Sequence, residues 1–566
     1  MAGLANAAFA PLEGRLLALN EPRKADKLVG APTFAFFYPE DTFVYQIKWK
    51  GVAPPDSYFK SGDAVQLTVD LDASGPVPNP GPINEEAAGP PGLLVVTAWL
   101  PLVFGIPAAE PLGQSPLRAA VWVVTSVCGQ PVEGGMSVQE VEEVLFGPPP
   151  GAATATSTNT TSRTRAASLP RISLSRLLDT CSAGVLAANV PDIFGNAITP
   201  PAGGGAISRA GSIVKALELP CAGYSGTGAA WSAAPDSPCG GNELWGWMEY
   251  ARDNTPELAD LDGTGMPPRY LRRLLVLPVP TPAWPVCRAW QQRGSLGCDA
   301  VAGCPMWVKQ GDRGKLLEWA ATQFGASLTL RPAAAALTAA ARPAAGGDPS
   351  DPLGSPEGGY RCFNAPHAYK LGFASAVRTF DAASRGYIES NPTQVLLPAS
   401  TTNPVNTLLI NPNWPPFPPP AVPPARPPPL LYAQYRSRLD GDAGLAASVR
   451  ERVLLHTLNA SLDVGSGALG TQQPSPPPVL VAALQPGQLY RYTAGGVVVK
   501  FEALQPPADG GASDPAGVVG GVARVTVCGY RVAVESAAEG GCSNGIDDDC
   551  DGLVDEADPD CAAGGR

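Results

Sequence analysis

The chain has 566 residues, a net charge of −12 and only 16% charged residues. This length predicts about three to four domains rather than a single core. The acidic balance argues against a nucleic-acid partner, because phosphate binding needs a basic surface. The chain holds just two histidines, His367 and His456, which excludes a metal ion ligated by three imidazoles. No apolar run of about 18 residues is present, so no membrane span is expected.

The first predicted domain, residues 1–115, is β-rich. Short β-branched or aromatic runs bounded by Gly, Pro and Asp are typical of strands, and they fall at 33–38, 42–49, 64–69 and 93–100. Residues 1–11 lack the charged and apolar regions of a signal peptide. Either the chain lacks the start of its precursor or its cysteines are reduced inside a cell, and we favour secretion.

The second predicted domain, residues 116–392, combines strands and helices. Continuous apolar runs at 119–128 and 271–279 predict buried strands. A helix is predicted over 137–145, where Ser137 and Glu140 have the spacing of a capping box, and another over 315–330. Residues 147–170 form a low-complexity insert. Strands alternating with helices predict an α/β layer.

The third predicted domain, residues 393–535, returns to strands, at 430–436, 453–458, 479–484, 496–502 and 523–534. It contains a polyproline segment, 411–429, which predicts a stiff polyproline-II spacer. Residues 536–566 form a separate acidic, Cys-rich tail.

The twelve cysteines predict disulfides in an oxidising compartment. Their number is even and no CxxC pair occurs, which disfavours a zinc ribbon or a thioredoxin-type site. Spacing alone does not give the pairing. The tryptophans between 231 and 307 fit a packed core better than a sugar-stacking surface.

A series of motifs between 269 and 373 resembles the gametolysin family. It runs from RYLRRLLVLPV through a Cys- and Trp-rich block and a helix to GDPSDPLG (347–354) and RCFNAPHAYKLGF (361–373). The resemblance covers roughly 115–535. It implies a metzincin-type α/β fold and an extracellular zinc endopeptidase acting on the Hyp-rich glycoproteins of algal cell walls.

The zinc motif of that family is degenerate here. In metzincins HExxHxxGxxH supplies three His ligands, a Glu base and a turn glycine. The register of Trp319, Leu328 and Ala333 aligns other residues with these positions. Thr322, Ala326 and Pro332 stand at the three ligand positions. Gln323 stands at the position of the general base, Thr329 at that of the turn glycine and Leu353 at that of the Met-turn methionine. No Asp, Glu, His or Cys occurs between 319 and 347 to replace them. The two histidines are predicted to be ordinary polar residues, and zinc, although expected in the family, is predicted to be absent.

The tail predicts a calcium loop. Within CSNGIDDDCDGLVDEADPDC, five aspartates take the D-x-D-x-D-G-x-x-D-x-x-D spacing, which brings oxygens onto one hard cation: Asp547, Asp549, Asp551, Asp555 and Asp558. The resemblance is to thrombospondin type-3-like repeats, since the twelfth position is Asp. The alternative is a solvated acidic tail.

The sequence therefore predicts a multidomain fold with a central metzincin-like α/β domain, flanking β-rich domains and a calcium-binding tail. The expected function is an extracellular or cell-wall pseudopeptidase that binds Pro/Hyp-rich wall glycoprotein without hydrolysing it. Two alternatives remain open: an active metalloendopeptidase with an unrecognised metal site, and a structural wall component assembled through calcium.

Overall fold

The computed structural model divides the chain into two compact units. Unit 1 consists of residues 1–176, 187–331 and 472–474, and unit 2 of residues 177–186, 332–471 and 475–566. The predicted boundaries at 115/116, 392/393 and 535/536 stay a prediction. The structure describes residues 9–20, 34–37, 44–51, 61, 63–71, 73–74, 93–103, 119–148, 172–182, 212–237, 239–258, 272–281, 287–288, 290–298, 303–328, 330, 332–336, 344–345, 347–355, 359–384, 388, 392–412, 428–459, 477–505, 521–530, 541–543, 547, 550, 553–554 and 561.

The N-terminal part of unit 1 is a sheet, as the sequence predicted. Its strands are β1 (Phe9–Asn20), β2 (Phe34–Phe37), β3 (Val44–Trp49), β4 (Ala64–Asp70) and β5 (Leu93–Val103). They are hydrogen-bonded in the order β2-β3-β5-β4-β1. Alternate residues of β4, namely Val65, Leu67 and Val69, are fully buried in one core, the pattern of a half-buried strand.

A layer of strands and helices follows. Its elements are β6 (Ala119–Val127), β7 (Gln130–Pro131), α1 (Val138–Phe146), β8 (Ile213–Leu219), β9 (Ala222–Tyr224), β10 (Ala230–Ser232), α3 (Gly241–Asp253), β11 (Arg272–Leu277), β12 (Gln292–Ser295), β13 (Cys304–Lys309) and α4 (Arg313–Ser327). Helix α2 (Leu174–Cys181) begins in unit 1, and its residues from Leu177 onward belong to unit 2. Strands β8, β6, β11 and β13 run parallel in that order. β12 is antiparallel to β13 and pairs with β1 on its other side.

The predicted capping box at the start of α1 is confirmed. The Ser137 side chain accepts a hydrogen bond from the Glu140 N–H, and the Glu140 carboxylate accepts one from the Ser137 N–H. The predicted strands at 119–128 and 271–279 and the helix at 315–330 correspond to β6, β11 and α4. The tryptophans described in this block lie in one core with α3 and β13: Trp231, Trp245, Trp247, Trp290 and Trp307.

Unit 2 is built mainly from two sheets around one core. Its elements are β14 (Ala334–Ala335), β15 (Ala344–Ala345), α5 (Ala365–Lys370), β16 (Ser375–Phe380), β17 (Thr393–Pro398), β18 (Val405–Ile410), β19 (Leu430–Arg436), β20 (Arg452–Leu458), β21 (Val479–Leu484), β22 (Leu489–Tyr492), β23 (Val497–Gln505) and β24 (Val522–Gly529). One sheet has the order β15-β14-β21-β20-β19-β18-β16 and the other β17-β24-β23-β22. The protein is therefore β-rich, with several sheets and few helices among the described residues.

All twelve cysteines are paired, which confirms the predicted disulfides. The pairs are Cys128–Cys221, Cys239–Cys287, Cys298–Cys304, Cys181–Cys362, Cys528–Cys550 and Cys542–Cys561. Each pair closes within one of the two units. Among the helices that the structure describes, none has the length and apolar character to cross a membrane. Most of the predicted insert 147–170 and of the polyproline segment 411–429 lies outside the described residues.

Candidate functional site

Helix α4 carries three of the residues that the sequence analysis aligned with the family's zinc motif. Asp312 caps its first turn by accepting a hydrogen bond from the Lys315 N–H at 2.9 Å. Every residue from Leu316 to Ser327 is buried, so the helix is enclosed in unit 1. Thr322, Gln323 and Ala326 have exposed fractions of 5%, 0% and 0%.

The Thr322 side chain serves the helix itself. Its hydroxyl donates to the Glu318 carbonyl oxygen at 3.0 Å, the back-bonding expected of a buried helical threonine. Ala326 offers no donor atom. Neither side chain is therefore suited to bind a metal ion.

Gln323 packs against strand β12. Neither amide atom of its side chain has a hydrogen-bond partner within the described part of the chain. The side chain lies over Gly294, where an added Cβ would stand 2.1 Å from the Gln323 Oε1 atom. Gly294 pairs with Met306 of β13. A side chain at residue 294 would therefore require the Gln323 amide to move.

Of the three other aligned residues, Pro332 and Leu353 belong to unit 2, and Thr329 lies outside the described residues. Pro332 has no donor atom to give a metal, and Leu353 is buried. An alanine, a proline and a back-bonded threonine do not fit zinc, which takes N, S or carboxylate ligands. We therefore derive no chemistry through that metal.

The segment 347–354 forms a buried turn around two carboxylates. The Asp348 Oδ1 atom accepts hydrogen bonds from the N–H and the hydroxyl of Ser350, and Asp351 Oδ1 accepts from the Leu353 N–H at 2.8 Å. A Cβ at Gly354 would lie 2.0 Å from the Asp348 carbonyl oxygen, so the turn requires glycine there. Asp348 and Asp351 are both fully buried.

Both histidines of the chain pair with these carboxylates. His456 of β20 lies with Nε2 3.0 Å from Asp348 Oδ2, and His367 of α5 lies with Nδ1 2.8 Å from Asp351 Oδ2. The Asn364 side chain also donates to Asp348, at 3.1 Å. We call these five side chains the Asp–His cluster: Asp348, Asp351, Asn364, His367 and His456.

The cluster controls the ionisation of Asp348. Burial alone raises the pKa of a carboxyl group, but the charge of His456 and hydrogen bonds from His456, Ser350 and Asn364 outweigh it. The net effect holds the pKa of Asp348 well below its usual range. Asp348 is therefore the ionised acceptor of the turn.

A buried ion pair lies in the same unit. Arg436 donates from Nε to Asp442 Oδ2 at 2.7 Å and from one terminal nitrogen to Asp442 Oδ1 at 2.6 Å. The same guanidinium donates to the carbonyl oxygens of Cys362 and Phe363. Burial lowers the pKa of Arg436, but the nearby carboxylates, Asp442 first, hold it above its usual value. The pair fastens the chain just before α5 to the end of β19.

The arrangement is structural rather than catalytic. Ser350 Oγ lies 3.3 Å from His456 Nε2, but the same ring nitrogen contacts Asp348, and His456 Nδ1 has no partner among the described residues. A nucleophile relay needs one imidazole nitrogen for the hydroxyl and the other for the carboxylate. The Asp–His cluster thus holds the 347–354 turn and α5 against β20.

The sequence reasoning missed both Asp–His pairs. His456 and Asp348 are 108 residues apart, and no local spacing joins them. The only available signal was that two aspartates recur in DPSDP beside a downstream histidine in CFNAPH.

The tail is only partly described. Asp547 is described, while Asp549, Asp551, Asp555 and Asp558 lie outside the described residues. Two disulfides anchor this region, one closing Cys542 to Cys561 and one joining Cys550 to Cys528 of β24. In the described part of the chain, no three His, Cys, Asp or Glu side chains are grouped to hold a metal ion.

Comparison with known families finds a match over residues 338–475 to the model for gametolysin peptidase M11. The match includes the Asp–His cluster and the Arg436–Asp442 pair but begins after helix α4. Over these residues the chain is similar to the gametolysin family, which confirms the predicted resemblance. No curated protein and no solved structure matches the chain.

Proposed function

We propose that the protein is an extracellular or cell-wall pseudopeptidase that binds Pro/Hyp-rich wall glycoprotein without cleaving it. The proposal rests on the side-chain contacts of three residues in helix α4. Its Thr322 hydroxyl is bonded within the helix, Ala326 has no donor, and the Gln323 amide is packed on Gly294. These contacts support the proposal that packing residues fill the positions aligned with the family's zinc ligands and general base.

Several findings support the extracellular part of this proposal. Six disulfides suit an oxidising compartment. The match to gametolysin peptidase M11 favours a wall glycoprotein as the ligand class. The chain is also acidic, with a net charge of −12, which disfavours binding through phosphate groups.

The test uses the full chain after dialysis from excess zinc. Metal content by mass spectrometry should be far below one zinc per chain, binding to a Hyp-rich glycoprotein should be measurable, and no cleavage products should appear. A variant carrying Thr322→His, Gln323→Glu, Ala326→His and Pro332→His serves as the comparison, because it supplies the missing ligands and base. Stoichiometric zinc and cleavage by the unmodified chain would reject the proposal and select the active metalloendopeptidase.

A second proposal concerns calcium. Five aspartates at calcium-loop spacing within a disulfide-anchored tail support a site for one Ca²⁺. If the protein is instead a structural wall component, its self-association should depend on calcium and it should have no affinity for wall peptides. Sedimentation with and without calcium separates these two roles.

A further inference from the structure

Lys309 is a buried lysine at the end of a parallel strand. It is the last residue of β13 and pairs with Leu277, the last residue of the neighbouring parallel strand β11. Only 1% of its surface is exposed. The carboxyl ends of parallel strands are where α/β sheets commonly bind ligands.

Its immediate surroundings are aromatic and cationic. The Lys309 Nζ atom lies 5.3 Å from the centre of the Trp290 ring, and the Arg293 guanidinium carbon lies 5.2 Å from the same ring. The Trp290 indole N–H is buried without a hydrogen-bond acceptor within the described part of the chain. Two cations and one unused donor therefore meet around a single indole.

The Lys309 ammonium group has no counter-charge within the part of the chain that the structure describes. Among the described residues, no hydrogen bond or ion pair is made by Lys309 Nζ. Burial lowers the pKa of Lys309 to about 8, so at pH 7 roughly nine molecules in ten still carry the charge. A cation–π contact offsets only part of the desolvation cost, and buried charges in proteins are normally paired.

We propose that Lys309, Trp290 and Arg293 form a buried site for one small anion. The anion supplies the acceptor that both the ammonium group and the indole N–H lack within the described residues, and its charge pairs with that of Lys309. Trp290 belongs to a core that is rich in tryptophan and leucine side chains, so the proposed occupant is small, an inorganic anion or a short carboxylate. Because the site is enclosed, the anion enters during folding or local opening. This inference is independent of the proposed pseudopeptidase function.

The experiment is thermal unfolding of the full chain at pH 7 in a zwitterionic buffer. Sodium sulfate, sodium acetate and sodium chloride are added in separate series. A bound anion should raise Tm in proportion to the logarithm of its concentration, by about 2 to 4 °C for each tenfold increase above its dissociation constant. The most effective salt distinguishes an inorganic oxyanion, a carboxylate and a halide.

Two variants separate binding from general salt effects. Lys309→Met should lose the logarithmic rise and keep only the linear stabilisation that excluded salts give any protein. Lys315→Met removes an equal charge from the partly exposed Lys315 side chain and should keep the logarithmic rise. The same salt dependence in all three proteins would overturn the proposal.

Diffraction provides a second measurement if Lys309→Met does not fold. Crystals of the unmodified protein grown with selenate or bromide should show an anomalous peak about 3 Å from Lys309 Nζ. An ordered water or an empty space at that position in both crystals would mean that no anion is bound, and would equally overturn the proposal.

Discussion

His456 Nε2 lies 3.0 Å from Asp348 Oδ2, and both side chains are almost completely buried. The contact joins the second strand of a hairpin to a turn more than a hundred residues earlier in the chain. It is the central link of the Asp–His cluster, because Asp348 also receives hydrogen bonds from Ser350 and Asn364.

We expect Asp348→Asn to destabilise unit 2 by about 3 kcal/mol at pH 7, since it breaks a buried pair from one side. The pKa of Asp348 is lower in the folded protein than its usual value. Its contribution is therefore complete above about pH 4 and is lost as pH falls through the lower, folded pKa. Urea unfolding at pH 7, 4 and 2.5 should show that the difference in unfolding free energy between the variant and the unmodified protein becomes smaller as the pH falls. Asp253→Asn, at a largely exposed side chain, is the control, and a pH-independent gap would contradict the ionised state of Asp348.

Arg436→Lys tests the second buried pair. Lysine keeps the charge but cannot donate two parallel hydrogen bonds to Asp442 while also reaching the carbonyl oxygens of Cys362 and Phe363. We expect a loss of about 2 to 4 kcal/mol of unfolding free energy. The matched change Arg438→Lys lies two residues away at an exposed side chain and should cost less than about 0.5 kcal/mol. Equal costs for the two variants would mean that the buried geometry contributes nothing.

Local features of the fold could be predicted from the sequence, and long-range ones could not. The Ser137–Glu140 capping box and the strand from Leu430 to Arg436 depend on neighbouring residues, so they were predicted correctly. The pairing of Cys181 with Cys362 spans 181 residues. Like the Asp348–His456 contact, it follows from how the sheets pack. The packing of Gln323 on Gly294 also needed the structure, because β12 has no distinctive pattern.

The charged Lys309 side chain should lower the free energy of unfolding, whereas the Asp348 carboxylate should raise it. Burial lowers its folded pKa to about 8 from the usual value of 10.5, so the charge penalty is complete below pH 8 and disappears as pH rises to about 10.5. In zwitterionic buffer without added salt, Lys309→Met should stabilise the protein by about 2 to 3 kcal/mol at pH 7. Chemical unfolding at pH 7 and pH 10 should show this advantage shrinking at the higher pH. An advantage that grows with pH would contradict the buried, charged state.

Substitutions at Gln323 test whether this residue only packs in the core or occupies a latent catalytic position. Its two amide atoms are unpaired and fully buried among the described residues, so Gln323→Met should be neutral or slightly stabilising. Gln323→Glu alone should cost about 3 kcal/mol or more, because it buries an unpaired carboxyl group. The same Gln→Glu change at the exposed Gln394 of β17 is the control. Unfolding in urea measures all three, and a harmless Gln323→Glu would show that the position is open to water.

The last prediction concerns the acidic tail. Five aspartates within about twelve residues repel one another, so Ca²⁺ should order residues 545–558 by neutralising this charge, with a modest affinity of roughly 10⁻⁴ to 10⁻³ M. Asp549→Ala removes an oxygen from the centre of the loop and should weaken binding strongly, whereas Asp560→Ala, just outside the loop, should have little effect. Calorimetry must use the full oxidised chain, because Cys550 pairs with Cys528 of β24 and a peptide of residues 536–566 would leave Cys550 unpaired. Equal effects of the two substitutions would identify the tail as a diffuse acidic patch rather than a calcium site.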